Sequence, residues 1–229
     1  GNYPDVVRYA QLCMDHGADG ITVHPRPDQR HIRPDDVRRL AALVNPVAGI
    51  EFNVEGNPFA PAMGSYPGFI ELVEETQPDQ CTLVPDGDDQ LTSDHGFDLT
   101  QSADALQPII QRLQDRGMRV SLFMDPDLEQ IKLAKQVGAD RIELYTGPYA
   151  AAWGTEQLEP LFQQHFAAAM LATELGMGVN AGHDLNLLNL GKFATIPDLL
   201  EVSIGHAFTV DSLEMGMASA VRAYKALLG

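Results

Sequence analysis

The chain is expected to fold as an α/β TIM (β/α)8 barrel whose first β-strand is absent from these residues. Three observations carry this expectation. Helical and strand patterns alternate strictly, one helix–turn–strand unit occurs twice almost letter for letter, and titratable residues recur just past the strand segments. Strict alternation produces parallel strands joined by helical crossovers. The 229 residues, 45% of them hydrophobic, suit one domain over 1–229, because barrels of about 250 residues fold as single units.

Apolar positions at Val6, Ala10, Cys13 and Met14 make a helical stripe that ends at Gly17-Ala18-Asp19 and passes into a strand at 21–23. The same unit returns as a stripe over 131–137, the turn Gly138-Ala139-Asp140 and a strand at 141–145. Further short apolar runs predict strands at 50–54, 81–84, 120–124, 178–180 and 200–204. Helical segments separate them, at roughly 35–45, 66–77, 103–116, 127–137, 156–176, 187–194 and 211–228. Several carry Asp or Pro near the start, as helix N-termini favour. That gives seven strands where a closed barrel has eight, and the chain opens on a helix at a residue, Gly1, that is not a natural start. The expectation is a missing first strand and loop; a seven-stranded or open doubly wound sheet is the alternative.

Composition excludes several function classes. A formal net charge of −17 argues against a nucleic-acid surface, which needs clustered Lys and Arg. No apolar run reaches the roughly 18 to 20 residues that cross a bilayer, and no basic-then-apolar leader precedes the first helix. Cys13 and Cys81 lack a partner at metal-ligand or redox spacing, which suits reduced thiols in a cytoplasmic protein. An anionic substrate would therefore need a local basic pocket.

In barrels the reactive groups come from the C-terminal ends of several strands. Just past the predicted strands stand His24 and Arg26, Glu55, Thr92 in a longer loop, Asp125, Thr146, His183 and Gly205-His206, with Glu143 inside its strand. Each has a plain structural alternative. His24 before a proline equally closes a turn, Asp125 before Pro126 equally caps a helix, and Glu55 equally serves as a solvated loop carboxylate. Glu143 is harder to dismiss, because a carboxylate in an apolar strand needs a partner if it points inward. Small residues around His183 in Asn180-Ala181-Gly182-His183-Asp184 let a backbone approach a ligand. Ser203-Ile204-Gly205-His206 occupies the place where barrels commonly bind phosphate, and Arg26, Arg30, Arg33 and His31 form a second basic patch. Two anion sites suggest two phosphorylated substrates. No His-x-His lies on a strand and no His-Glu-x-x-His on a helix, which gives little support to a metal site.

The run Gly17-Ala18-Asp19-Gly20-Ile21-Thr22-Val23-His24-Pro25-Arg26-Pro27-Asp28-Gln29-Arg30-His31-Ile32 resembles the signature of the pyridoxine 5′-phosphate synthase family. The resemblance continues through Glu51-Phe52-Asn53-Val54-Glu55, Leu83-Val84-Pro85, Arg141-Ile142-Glu143-Leu144-Tyr145-Thr146-Gly147, Val179-Asn180-Ala181-Gly182-His183 and Ile204-Gly205-His206-Ala207. It implies condensation of 1-deoxy-D-xylulose 5-phosphate with 3-amino-2-oxopropyl phosphate to pyridoxine 5′-phosphate, inorganic phosphate and water. No metal and no organic cofactor is implied. By matching motif, His24 and Glu55 are expected to accept protons, His183 to donate one, and Glu143 to stabilise the transition state. Arg26, His31 and Thr92 are expected to hold the deoxyxylulose phosphate, and Asp184, Gly205 and His206 the amino ketone phosphate. The family also implies a homo-oligomer, an octamer built from dimers, with which apolar side chains at Leu185, Leu187, Leu188 and Leu190 are compatible. The segment 85–100 is one expected lid.

Two departures from the family pattern stand out. Asp184 occupies a position where many members have glycine, and a carboxylate there would repel phosphate. Family members also begin with a strand and loop whose asparagine, further polar residue and arginine touch both substrates, and nothing here matches them. If that segment is missing, the expectation is a barrel open beside its last strand, with weak or absent activity. A phosphate-ligand binder without catalysis and a metal-dependent barrel hydrolase are the competing function classes.

Overall fold

Seven parallel strands hydrogen-bond in chain order in the computed structural model, which describes residues 4–87 and 90–229. The first half runs α1 (Val6–Asp15), β1 (Gly20–Val23), α2 (Pro34–Val44), β2 (Glu51–Gly56), α3 (Phe69–Thr76), β3 (Gln80–Leu83), α4 (Leu99–Gln114) and β4 (Arg119–Met124). The second half runs α5 (Leu128–Gln136), β5 (Arg141–Tyr145), α6 (Gly147–Ala151), α7 (Leu158–Glu174), β6 (Gly178–Gly182), α8 (Leu190–Phe193), β7 (Leu199–Ser203), α9 (His206–Met215) and α10 (Met217–Leu228). Every strand expected from the sequence is present. Among the described residues β1 and β7 share no ladder, so the barrel is nearly closed, with edges at these two strands.

The repeated turn works the same way twice. Gly17 and Gly138 take φ of 101° and 93°, a region that disfavours side chains, and the following Ala18 and Ala139 amides donate to Cys13 and Ala134 carbonyls at 3.0 and 3.1 Å. The acidic residues just before strands are also structural. Asp79 and Asp140 accept the Phe52 and Val120 amides of the preceding strand, each at 2.8 Å, which ties one strand's start to its neighbour.

Side chains alternate across the sheet. The outward set, including Phe52, Val54, Leu83, Val120, Leu122, Ile142, Leu144 and Val179, is buried beneath the helices with Leu40, Leu72, Leu106, Ile131 and Ala168. Each large apolar side chain so buried contributes about 1.5–3 kcal/mol. The inward set is polar. Gln80 of β3 donates to Glu201 of β7 at 3.2 Å, and Asn180 of β6 donates to the same carboxylate at 2.9 Å. Arg141 reaches Glu201 at 3.2 Å, and Arg119 pairs with Glu51. Strands so far apart in sheet order touch only because the sheet curls around this lumen.

Helix α6 is additional to the expected segments, α3 starts three residues late, and other helix boundaries also depart from the sequence pattern. Segment 211–228 is two helices, because Gly216 at φ 83° interrupts it, and the first of them starts early, at His206. Helix α4 starts at Leu99, since Asp98 accepts the Thr100 amide and caps it. Segment 187–194 yields only the four-residue α8. Of the four leucines named for an oligomer face, Leu185 and Leu190 are buried, Leu187 is half-buried and Leu188 is 74% exposed.

Candidate active site

Parallel strands bring their C-terminal ends to one rim, and the expected residues follow them there. His24 is the first residue past β1, Glu55 the penultimate residue of β2, Glu143 the middle of β5, and His183 the first past β6. His24 Nδ1 stands 3.7 Å from Glu55 Oε2, and its Nε2 stands 3.5 Å from Asp86 Oδ2. Asp86 in turn meets Arg26 Nη2 at 2.5 Å. On the other side, Glu143 lies against Gly182, where a Cβ would overlap its Oε1. The His183 ring packs edge-on against Tyr145 at 5.2 Å between centroids.

Burial sets the protonation of this group. Desolvation, with Arg26 beside it, holds the His24 imidazole down to about 3, so it is neutral near pH 7. Desolvation first, then the Glu201 and Asp86 carboxylates, pushes Glu55 up to about 8. Glu143 is raised well above the ordinary carboxylate range by burial and then by Glu55 and Glu201. The influence of Glu55 on Glu143 links the two halves of the rim: neighbouring buried carboxyls resist ionising together. Burial also lowers His183, with Asp184 opposing. Among the described residues, Glu55 Oε1 and Glu143 Oε2 are buried without a hydrogen-bond partner. Such atoms are costly unless something else, such as a ligand, satisfies them.

His183 and Asp184 both adopt positive φ, 89° and 58°. The left-handed backbone at Asp184 is the physical reason glycine suits this position, and Asp is among the few side chains that tolerate it. Thr146 fixes this turn, donating to the Gly182 carbonyl at 2.7 Å and contacting that of His183. The Asp184 carboxylate lies 3.6 Å from His183 Nε2 and 3.9 Å from His206 Nδ1. His206 opens α9 with its side chain 82% exposed, and Gly205 before it faces open space. His31 is exposed and Thr92 half-buried. Residues 88 and 89 of the expected lid lie outside the described residues.

Three further residues shape the rim. Asp86, Ser93 and Gly182 have roles visible only in three dimensions, although Asp86 directly follows a strand-end Val84-Pro85 and was open to the same strand-end rule. Asp125 does not cap a helix: α5 is capped by Asp127, which accepts the Glu129 and Gln130 amides at 2.8 and 3.0 Å. Asp125 instead accepts the Gly96 amide at 3.1 Å, fastening the loop before α4. Among the described residues no three His, Cys, Asp or Glu side chains gather as metal ligands.

A family model described as "Pyridoxal phosphate biosynthesis protein PdxJ" matches residues 1–229. The chain belongs to the PdxJ family. It is 54% identical over 229 residues to the pyridoxine 5′-phosphate synthase of Xanthomonas axonopodis pv. citri, covering 100% of this chain and 89% of that protein. It is 51% identical over 226 residues to the synthase of the same name from Xylella fastidiosa strain M23, covering 98% and 86%. Among solved structures, this PdxJ chain resembles the tryptophan synthase alpha chain of Legionella pneumophila, with TM-score 0.65 at 13% identity over 99% of this chain and 87% of that one. Phosphoribosyl anthranilate isomerase from Thermus thermophilus gives 0.57 at 15% identity, covering 97% and 93%. At such identities these structures speak for the barrel fold alone.

Proposed function

We propose that the chain is a pyridoxine 5′-phosphate synthase, condensing 1-deoxy-D-xylulose 5-phosphate with 3-amino-2-oxopropyl phosphate to give pyridoxine 5′-phosphate, phosphate and water. The observation that carries this is the convergence of a neutral imidazole, two proton-holding carboxyls and a second imidazole on one rim, between Arg26 and the start of α9. Imine formation, enolisation, dehydration and aromatisation are successive proton transfers, each open to acid–base help of about 10²–10⁴-fold.

In this reading His24 and Glu55 accept protons and His183 donates one. Glu143, held neutral by burial, donates a hydrogen bond to oxygen on which charge develops, as a buried carboxylic acid can near pH 7. Arg26, His31 and Thr92 hold the deoxyxylulose phosphate. The backbone N–H groups of Asp184 and Gly205 and the His206 side chain hold the amino ketone phosphate, with backbone amides at the start of α9 facing the anion. The chemistry needs neither metal nor organic cofactor. A homo-oligomer, an octamer by family resemblance, would cover apolar side chains such as Leu188, Leu200, Val210 and Leu213, which are 53–84% exposed; the mass by light scattering tests this. With no helix among the described residues long and apolar enough to cross a membrane, a cytoplasmic site of action fits this reading.

Mixing the protein with both substrates and following product absorbance tests the assignment. Product should form with the wild-type chain and fall by about 10²-fold or more in Glu55→Gln and His183→Ala. No product despite binding of both phosphates would identify a binder without catalysis. Product abolished by chelators and restored by a divalent ion would identify metal-dependent chemistry instead.

A further inference from the structure

Asp86 has no part in the roles above, yet it is a buried acid held by several contacts at the rim. Its side chain is 6% exposed, and its Oδ2 lies 2.5 Å from Arg26 Nη2 and accepts from Ser93 Oγ at 3.0 Å. His24 Nε2 stands 3.5 Å from the same oxygen, and Asn57 Nδ2 donates to the Asp86 backbone carbonyl at 2.8 Å, which anchors the residue from below. A carboxylate thus sits on the guanidinium assigned to a substrate phosphate. Carboxylate and phosphate seek the same N–H donors of an arginine, so they compete for it. A phosphate brought to Arg26 beside an unmoved Asp86 would meet a like charge at contact distance, in surroundings that screen it poorly.

We propose that Asp86 is an internal stand-in for the substrate phosphate, occupying Arg26 in the empty site and exchanging with the phosphate when substrate binds. The exchange does two things. It keeps a largely buried guanidinium, 14% exposed with its Nε unpartnered, from standing uncompensated without ligand. It also sets selectivity, because a singly charged anion replaces Asp86 without electrostatic gain, whereas a phosphate dianion gains. Departure of Asp86 further removes the acid facing His24 Nε2, so arrival of substrate changes the surroundings of a proposed proton acceptor.

The inference rests on Arg26 as a phosphate ligand, and calorimetric titration separates the two claims. The probes are 1-deoxy-D-xylulose 5-phosphate and the same sugar without phosphate, each titrated alone into the full chain. Asp86→Asn, close in shape and able to keep the Ser93 contact, should bind the phosphorylated sugar about tenfold more tightly, with binding of the unphosphorylated sugar unchanged. Arg26→Gln should weaken the phosphorylated sugar, and adding Asp86→Asn to it should bring no gain. Asp86→Ser supplies a second uncharged variant, expected to change affinity in the same direction. If Arg26→Gln weakens binding while both Asp86 variants leave it equal or weaker, Asp86 is only a brace for Arg26 and the stand-in is wrong. If Arg26→Gln leaves binding unchanged, the phosphate assignment itself fails and takes the stand-in with it.

Discussion

Glu55 and Glu143 show how one placement serves chemistry at the expense of stability. Their folded-state carboxyls hold protons that an unfolded chain, near 4.5, has already released. The folded state therefore has its full contribution from these groups below about pH 4.5 and loses it as pH rises, for Glu55 through about 8. His24 works in the opposite sense: its contribution is present above its ordinary 6.5 and is lost as pH falls toward about 3. Glu143→Gln, which keeps shape and removes the proton release, should raise Tm at pH 8 and match wild type near pH 4. Glu143→Leu, which removes the donor altogether, should lose about 10²-fold in kcat, and Glu143→Gln, which keeps an N–H donor, should lose less. A kcat/KM profile should climb with an apparent pKa near 8 that Glu55→Gln abolishes. Thermal melts and initial rates across this range check all three outcomes, and a variant less stable at pH 8 would contradict the burial account.

At the scale of single elements, short polar contacts decide where helices begin and how loops are held. Asp127 satisfies two free amides at the start of α5, so Asp127→Ala should cost about 1 kcal/mol in urea unfolding, whereas Asp125→Ala should leave α5 intact and loosen the loop at Gly96. A larger cost from losing the α5 cap at Asp125 than at Asp127 would reverse this assignment. The strands and their order were legible because apolar runs and turn glycines are local signals. Helix ends were less so: Asp98 caps α4 several residues before the apolar stripe becomes regular, and one glycine, Gly216, divides a stripe that looks continuous. The placement of His24, Glu55, Glu143 and His183 at one rim was legible from strand ends and motif. Asp86 and Gly182 could not be assigned a role, because what matters about them is a neighbour far away in the chain: the Arg26 guanidinium for one, the Glu143 carboxyl for the other.

Across the whole molecule, the outer layer follows the usual apolar rule while the lumen does not. The ring of Glu51, Gln80, Arg119, Arg141, Asn180 and Glu201 fills space that branched aliphatic side chains occupy in most barrels of this kind. Hydration of amides, carboxyls and guanidinium lowers the heat capacity when they are exposed, whereas hydration of alkyl groups raises it. Melting this barrel should therefore give a ΔCp per residue below the common value of about 12–15 cal/mol/K, measured as the slope of calorimetric enthalpy against Tm. The outcome would be a shallower dome of free energy against temperature, so that chilling and warming erode the folded state more gradually than in a barrel with a greasy centre.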